Sequence, residues 1–367
     1  MRVPSASSSR ATGTGAEGGV LVSRIRRFGL DWQPPATRSE CPRLMSLLDS
    51  LKKLFRPYAP TTVADRVAPE RERASVAQAP LQPRARRVLC SGPHGLHRMA
   101  YTEWGDPSNP RVLVCVHGLT RNGRDFDDLA RALDGDYRVV CPDVVGRGRS
   151  DWLADKADYG FPVYVADMVT LIARLDVEEV HWVGTSMGGI IGMLLASQAG
   201  TPITRLVLND VGPVITAASL RRIGQYVGRA PRFADLAAAE AYLREVSAPF
   251  GPLTDAQWRH LTEYSVRRMD DAEGGYAMVY DPGLGEVFRL NPIPVDIDLW
   301  PVYEAVRCPT LALRGAESDL LEAATFAAMG VRGPSAQMVE FRGVGHAPML
   351  MDAAQIGAVR AFLLGSA

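Results

Sequence analysis

Gly184-Thr185-Ser186-Met187-Gly188 has the spacing G-x-S-x-G, in which a serine can serve as a nucleophile. The pentapeptide alone recurs by chance. Here it follows the apolar run Val180 to Val183 and opens the apolar stretch Gly189 to Ala196, so a buried strand, a tight turn and a helix succeed one another as the motif requires. The glycines answer a steric need, because a Cβ at 184 or 188 would collide with neighbouring backbone in so strained a turn. Such a turn lifts the Ser186 hydroxyl clear of the sheet and aims the unpaired N–H groups of the next helix at a reacting carbonyl. Met187 N–H is then one candidate oxyanion donor. Leu119 N–H, in Val116-His117-Gly118-Leu119-Thr120 after an upstream strand, is the second. Backbone does this work, so the side chain at 119 matters little.

A serine hydroxyl is a weak nucleophile until a base takes its proton. In the nucleophile-elbow arrangement the acid and then the histidine follow the serine along the chain, which leaves His260 and His346 as candidate bases. His260 falls inside a helical stretch, Trp258-Arg259-His260-Leu261, where a packing role explains it. His346 lies in Gly343-Val344-Gly345-His346-Ala347-Pro348 directly after the last strand, a loop from which an imidazole can reach Ser186. For the acid, Arg314-Gly315-Ala316-Glu317-Ser318-Asp319 follows the strand at Thr310 to Leu313, and Asp319 is the choice. Glu317, nearer that strand, and Asp210, after Leu206-Val207-Leu208, are the alternatives.

Elements able to position these residues begin at Arg87. Short apolar runs alternate with helical stretches from there on, the pattern of a doubly wound, mostly parallel α/β sheet. Val88 to Cys90 and Leu96 to Trp104 read as a leading antiparallel hairpin. Buried strands are expected at Val112 to Val116, Arg138 to Cys141, Val180 to Val183, Leu206 to Leu208, Thr310 to Leu313 and Gln337 to Phe341. Between Pro213 and Asp296 the alternation breaks: Ala217 to Tyr226, Phe233 to Val246 and Thr254 to Met269 carry helical spacing with no clear strand between them, which reads as an inserted helical cap. The expected organisation is therefore an arm over 1–86, a core over 87–212 and 297–367, and a cap over 213–296.

Residues 1–44 are rich in Ser, Ala, Gly and Arg without periodicity and read as disordered. Met45 is a second possible start. It opens a short amphipathic helix over 46–56, with Leu47, Leu48, Leu51, Leu54 and Phe55 on one face; packing on the body or fraying in solution is favoured over a peripheral membrane or partner anchor. Pro57 to Pro83 reads as a linker. Lys+Arg and Asp+Glu both total 41 over 367 residues, which offers no general attraction to nucleic acid. The balance conceals a basic arm, with 15 Lys+Arg against 7 Asp+Glu in residues 1–86, before an acidic body. Five scattered cysteines suggest free thiols and a reducing, cytoplasmic setting. The six histidines lack metal-ligand spacing, so no metal is expected. No apolar stretch approaches the ~20 residues of a spanning helix, nor is a signal-peptide core present.

Taken together, the strand ending His117-Gly118, the loop Asp143-Val144-Val145-Gly146-Arg147-Gly148-Arg149-Ser150, the elbow at Ser186, Asp319 and His346 resemble the α/β-hydrolase superfamily from about residue 87 to the end. The Asp143 to Ser150 loop looks like the turn after that family's fourth strand; no Lys-Ser/Thr follows the glycines, so a P-loop is not supported. The serine at the elbow disfavours the family's aspartate-nucleophile dehalogenases and epoxide hydrolases. Ala347 after the histidine weakens the likeness to ring-cleavage carbon–carbon hydrolases. The resemblance implies a capped carboxylesterase or lactonase that acts without a cofactor on a small-molecule ester through an acyl-enzyme. The alternatives are a carbon–carbon hydrolase or acyltransferase on the same residues, or a non-catalytic ligand receptor on the same fold.

Overall fold

In a computed structural model of the chain, residues 82–290 and 295–365 are described. Residues 1–81 of the expected arm, with the 46–56 helix and nearly all of the linker, fall outside them. Eight strands form one sheet: β1 (Arg84–Gly92), β2 (Gly95–Trp104), β3 (Val112–Val116), β4 (Arg138–Pro142), β5 (Val180–Thr185), β6 (Ile203–Asn209), β7 (Thr310–Gly315) and β8 (Gln337–Phe341). Their spatial order is β1-β2-β4-β3-β5-β6-β7-β8. β2 pairs antiparallel with both β1 and β4; every pairing from β4 to β8 is parallel. This is the doubly wound α/β sheet that the alternating pattern predicts.

β1 begins at Arg84, before the expected boundary at Arg87. Three of its first four residues are arginines, and an edge strand can carry charge on its open side, so no apolar alternation marks its start. Arg84 Nε and Nη2 donate to Glu103 Oε1 at 3.1 and 3.0 Å, and Arg138 takes Oε2 of the same carboxylate, which ties the hairpin to β4.

The central strands are buried on both faces, and their side chains divide between two cores. Val112, Val114 and Val116 of β3 meet α2 (Phe161–Leu175) and α3 (Met187–Ala196), whereas Leu113 and Cys115 face α1 (Asp127–Leu133) and the C-terminal helix Ala353–Leu364. Side chains alternate across a pleated strand, so each face needs its own helical layer. Burying one such Val or Leu is worth roughly 1.5–3 kcal/mol, which makes the sheet a stiff platform for the loops at its carboxyl edge.

Between β6 and β7 the chain forms α4 (Ala217–Tyr226), α5 (Leu236–Val246) and α6 (Asp255–Ser265). Helix α5 starts later than expected because Asp235 caps it, accepting from Ala238 N–H. Thr254 and Gln257 close a capping box on α6. That helix stops at Ser265, where Val266–Arg268 turns into a three-stranded antiparallel sheet with Tyr276–Met278 and Arg232–Phe233. Strands of two or three residues are too short to leave a period in the sequence. At the base of the insertion, Val214–Ile215 pairs with Ile297–Asp298. Among the described residues no helix is long and apolar enough to cross a membrane, and Cys90, Cys115, Cys141 and Cys308 are unbridged.

Candidate active site

Ser186 sits between the end of β5 and the start of α3 at φ 52°, ψ −116°, a conformation costly for a residue with a side chain. Its surroundings over-determine it. Ser186 N–H donates to Asn209 O at 3.0 Å, locking the turn to β6. A Cβ at Gly184 would stand 2.3 Å from Gly188 O, and one at Gly188 would stand 2.0 Å from Val116 O. Glycine at both positions is a condition for β3, the turn and α3 to approach this closely.

His346 Nε2 lies 3.0 Å from Ser186 Oγ, so the loop after β8 delivers an imidazole to the serine as its sequence suggests. The acid differs from expectation. His346 Nδ1 lies 2.6 Å from Oδ2 of Asp210, the residue directly after β6. Asp210 is fully buried at φ 53°, and it also accepts from Gly315 N–H at 2.9 Å and from Ser318 O–H at 2.6 Å. Asp319, the sequence choice, is turned away: its side chain is 56% exposed and pairs with Arg222 of α4, Oδ2 to Nε at 2.7 Å and Oδ1 to Nη2 at 2.9 Å. The loop after β7 thus supplies donors to the acid instead of the acid itself. Asn209 reinforces the junction, donating from Nδ2 to Thr185 Oγ1 at 2.9 Å and to Pro348 O at 2.8 Å. The available signal for Asp210 was an acid at the carboxyl end of the strand beside the elbow strand.

The loop after β3 passes close to the serine. A Cβ at Gly118 would be 3.7 Å from Ser186 Cβ, and Leu119 lines the same cleft. Met187 is the first residue of α3. Beneath both lies Arg147, fully buried, a residue the sequence offered only as part of a glycine-rich turn. Its Nε donates to Leu119 O at 2.7 Å, Nη1 to Val145 O at 2.7 Å, and Nη2 reaches Met187 Sδ at 3.4 Å, while its guanidinium lies 4.9 Å from the Tyr164 ring centroid. One side chain therefore holds together the two residues whose N–H groups are the candidate oxyanion donors.

His117 is buried and neutral. Burial pushes its pKa down to about 3, with the Arg147 and Arg121 charges acting in the same sense against its bond to Gly118 O. Its Nδ1–H donates to Gly118 O at 2.7 Å and its Nε2 accepts from Val144 N–H at 2.9 Å, stapling the β3 and β4 loops. Asp143 completes that staple, accepting from Gly123 N–H and Arg149 N–H at 2.8 and 2.9 Å; burial raises its pKa. His260 is remote from this work, with Nε2–H donating to Arg124 O at 3.0 Å and its ring beside Tyr264.

Two groups of metal-ligating side chains assemble outside the cleft without any spacing to announce them: Cys90, His97 and Asp167, all buried, and the more exposed His94, Asp155 and Asp158. Each group is joined internally, His97 Nε2 to Asp167 at 2.9 Å and His94 Nδ1 to Asp158 at 2.7 Å.

The sequence pattern of the α/β-hydrolase fold family matches residues 111–281. Over 289 residues the chain is 52% identical to the 3-hydroxybutyrate-oligomer hydrolase of Cupriavidus necator, which covers 77% of this chain and 99% of that protein. An α/β hydrolase from Novosphingobium aromaticivorans superposes with a TM-score of 0.68 at 37% identity, covering 77% of this chain and 98% of its own. A hydrolase candidate from Rickettsia typhi superposes with a TM-score of 0.72 at 33% identity over 78% of this chain and the whole of its own.

Proposed function

The chain belongs to the α/β-hydrolase family, and from that premise we propose that it hydrolyses carboxylic esters through a triad of Ser186, His346 and Asp210, on a short oligoester of a hydroxy acid. The relay Asp210–His346–Ser186, with separations of 2.6 and 3.0 Å, carries the reading. Oγ attacks the ester carbonyl as Nε2 takes its proton, and Asp210 stabilises the imidazolium while holding it in orientation. The tetrahedral oxyanion faces Leu119 N–H and Met187 N–H, which are fixed before the reaction begins and so cost no reorganisation. Collapse of the intermediate returns the proton to the departing alkoxide, and His346 then activates water to release the acid. The donors on Asp210 also matter: with Gly315 N–H and Ser318 O–H satisfied, its buried charge is held in place for Nδ1–H.

The oligoester substrate is supported by the relative from Cupriavidus necator, whose named activity is hydrolysis of 3-hydroxybutyrate oligomers. Exposure to a fluorophosphonate probe should label the protein at Ser186, and Ser186→Ala should abolish labelling and lower turnover of 3-hydroxybutyrate trimer by on the order of 10⁴-fold or more. A folded wild-type sample that takes no label would place the fold in a binding role. Labelling without trimer cleavage would retain the serine hydrolase and discard the oligoester.

A further inference from the structure

An oligomer of a hydroxy acid is an apolar, repeating ester that carries one charge, the carboxylate at its acid end. The cleft above Ser186 treats its own charges very unevenly. Three charged side chains line it: Arg121, Asp125 and Arg222. Arg121 and Asp125 cancel within the wall, Nε to Oδ2 at 2.8 Å and Nη2 to Oδ1 at 2.6 Å, and Arg121 Nη1 is taken by Ser265 Oγ at 2.8 Å. Arg222, from the cap helix α4, lines the cleft while its counter-ion Asp319 does not. Much of that pair is open to water, with side chains 40% and 56% exposed, although Arg222 Nε itself is covered. Solvent-exposed pairs of this kind are weak, so a second carboxylate arriving from the cleft can displace the first. Phenolic Tyr226, Tyr242 and Tyr280 share the lining, and burial raises the pKa of each so that all stay neutral. Of the charged side chains that line the cleft, Arg222 is therefore the one whose counter-ion lies outside it.

We propose that Arg222 binds the free terminal carboxylate of the substrate and makes this site selective for acid-terminated oligoesters, with Asp319 as the internal competitor that vacates the guanidinium when substrate enters. The inference rests on the oligoester reading above. In cleavage of such an oligomer the carboxylate belongs to the alcohol-side fragment: Oγ takes the acyl group, the ester C–O bond breaks, the departing hydroxy acid leaves with the proton from His346, and water later frees the acyl half. Arg222 would thus grip the fragment that leaves first. Guanidinium suits the task because its planar fork meets a carboxylate through two parallel N–H donors.

The test compares 3-hydroxybutyrate trimer as the free acid with its methyl ester, each as an inhibitor of p-nitrophenyl butyrate hydrolysis and each as a substrate. The wild type should bind the acid more tightly than the methyl ester by about tenfold, the scale of one charge-assisted hydrogen-bonded contact. Arg222→Met should erase that preference, Arg222→Lys should retain part of it, and Asp319→Asn should widen it by removing the competitor. High salt should narrow it in the wild type. A preference that survives in Arg222→Met, or one that shrinks in Asp319→Asn, overturns the assignment, as does a wild type that neither trimer inhibits. Because the ratio is taken within each variant, partial loss of folded protein does not mimic the result. Cleavage of the trimer without any acid preference sinks Arg222 and leaves the oligoester reading standing; inhibition with the preference but without cleavage does the reverse.

Discussion

The ends of β6 and β7 lie side by side, and each is followed by an aspartate, yet the two carboxylates live in different media. Asp210 is fully buried, touches His346 and is held by two further donors. Asp319 is more than half exposed and faces one arginine of the cap. At Asp210 the low local dielectric strengthens every contact and makes an unpaired charge costly, so the group is committed to one geometry. At Asp319 solvent screens the pair and exchange is cheap. The same contrast separates the two halves of the cleft. Its floor is built from backbone donors, close-packed glycines and buried polar groups, suited to chemistry that tolerates little displacement. Its upper wall is built from exposed and aromatic cap side chains, suited to choosing a substrate.

The contrast breaks most sharply at the acids. Asp210→Asn keeps the shape but removes the charge that holds the His346 tautomer, and kcat on p-nitrophenyl butyrate should fall by about 10⁴-fold; a loss of less than tenfold would remove Asp210 from the triad. Ser318→Ala deletes one donor to Asp210 and leaves the carboxylate under-satisfied, so kcat should drop by roughly tenfold with KM little changed. Asp319→Asn should move kcat on that neutral ester less than about threefold, and a loss comparable with that of Asp210→Asn would reverse the assignment of the two loops.

The smallest expected effect concerns the floor itself. Burial keeps His117 neutral, with its pKa pushed from the ordinary 6.5 down to about 3. Between those values the unfolded chain binds a proton that the folded chain refuses. The contribution is therefore intact above about pH 6.5 and declines on acidification, by up to about 1.4 kcal/mol per pH unit for this one group. His117→Gln should make the fall in urea midpoint between pH 6.5 and 5 shallower than in the wild type, and equal slopes would detach His117 from acid unfolding.

Residues whose meaning is local were legible in the sequence. Ser186 announced itself because glycine at 184 and 188 is a steric demand of one turn, and His346 because glycine and proline around it make a loop after the last strand. The parallel sheet was legible because strands buried on both faces must be continuous apolar runs. Where local pattern was absent, reading fell short: β1 hid its first residues behind arginines on an open edge, and the small cap sheet was too short to have a period. Arg147 looked like an ordinary turn residue because nothing in its neighbours tells that Leu119 and Met187 close over it.

The choice between Asp210 and Asp319 shows where that limit lies. Chain order and strand ends admitted both, since each follows a buried strand and precedes His346. The Ser186 turn and the His346 loop are properties of short segments, so sequence alone was enough to single them out. Which carboxylate meets the imidazole depends on how two neighbouring strand ends bend, Asp210 at φ 53° inward and the β7 loop outward toward Arg222. That outcome was decided only by tertiary packing, because it is the burial of Asp210 beneath Gly315 and Ser318 that makes one of two similar aspartates the partner of His346.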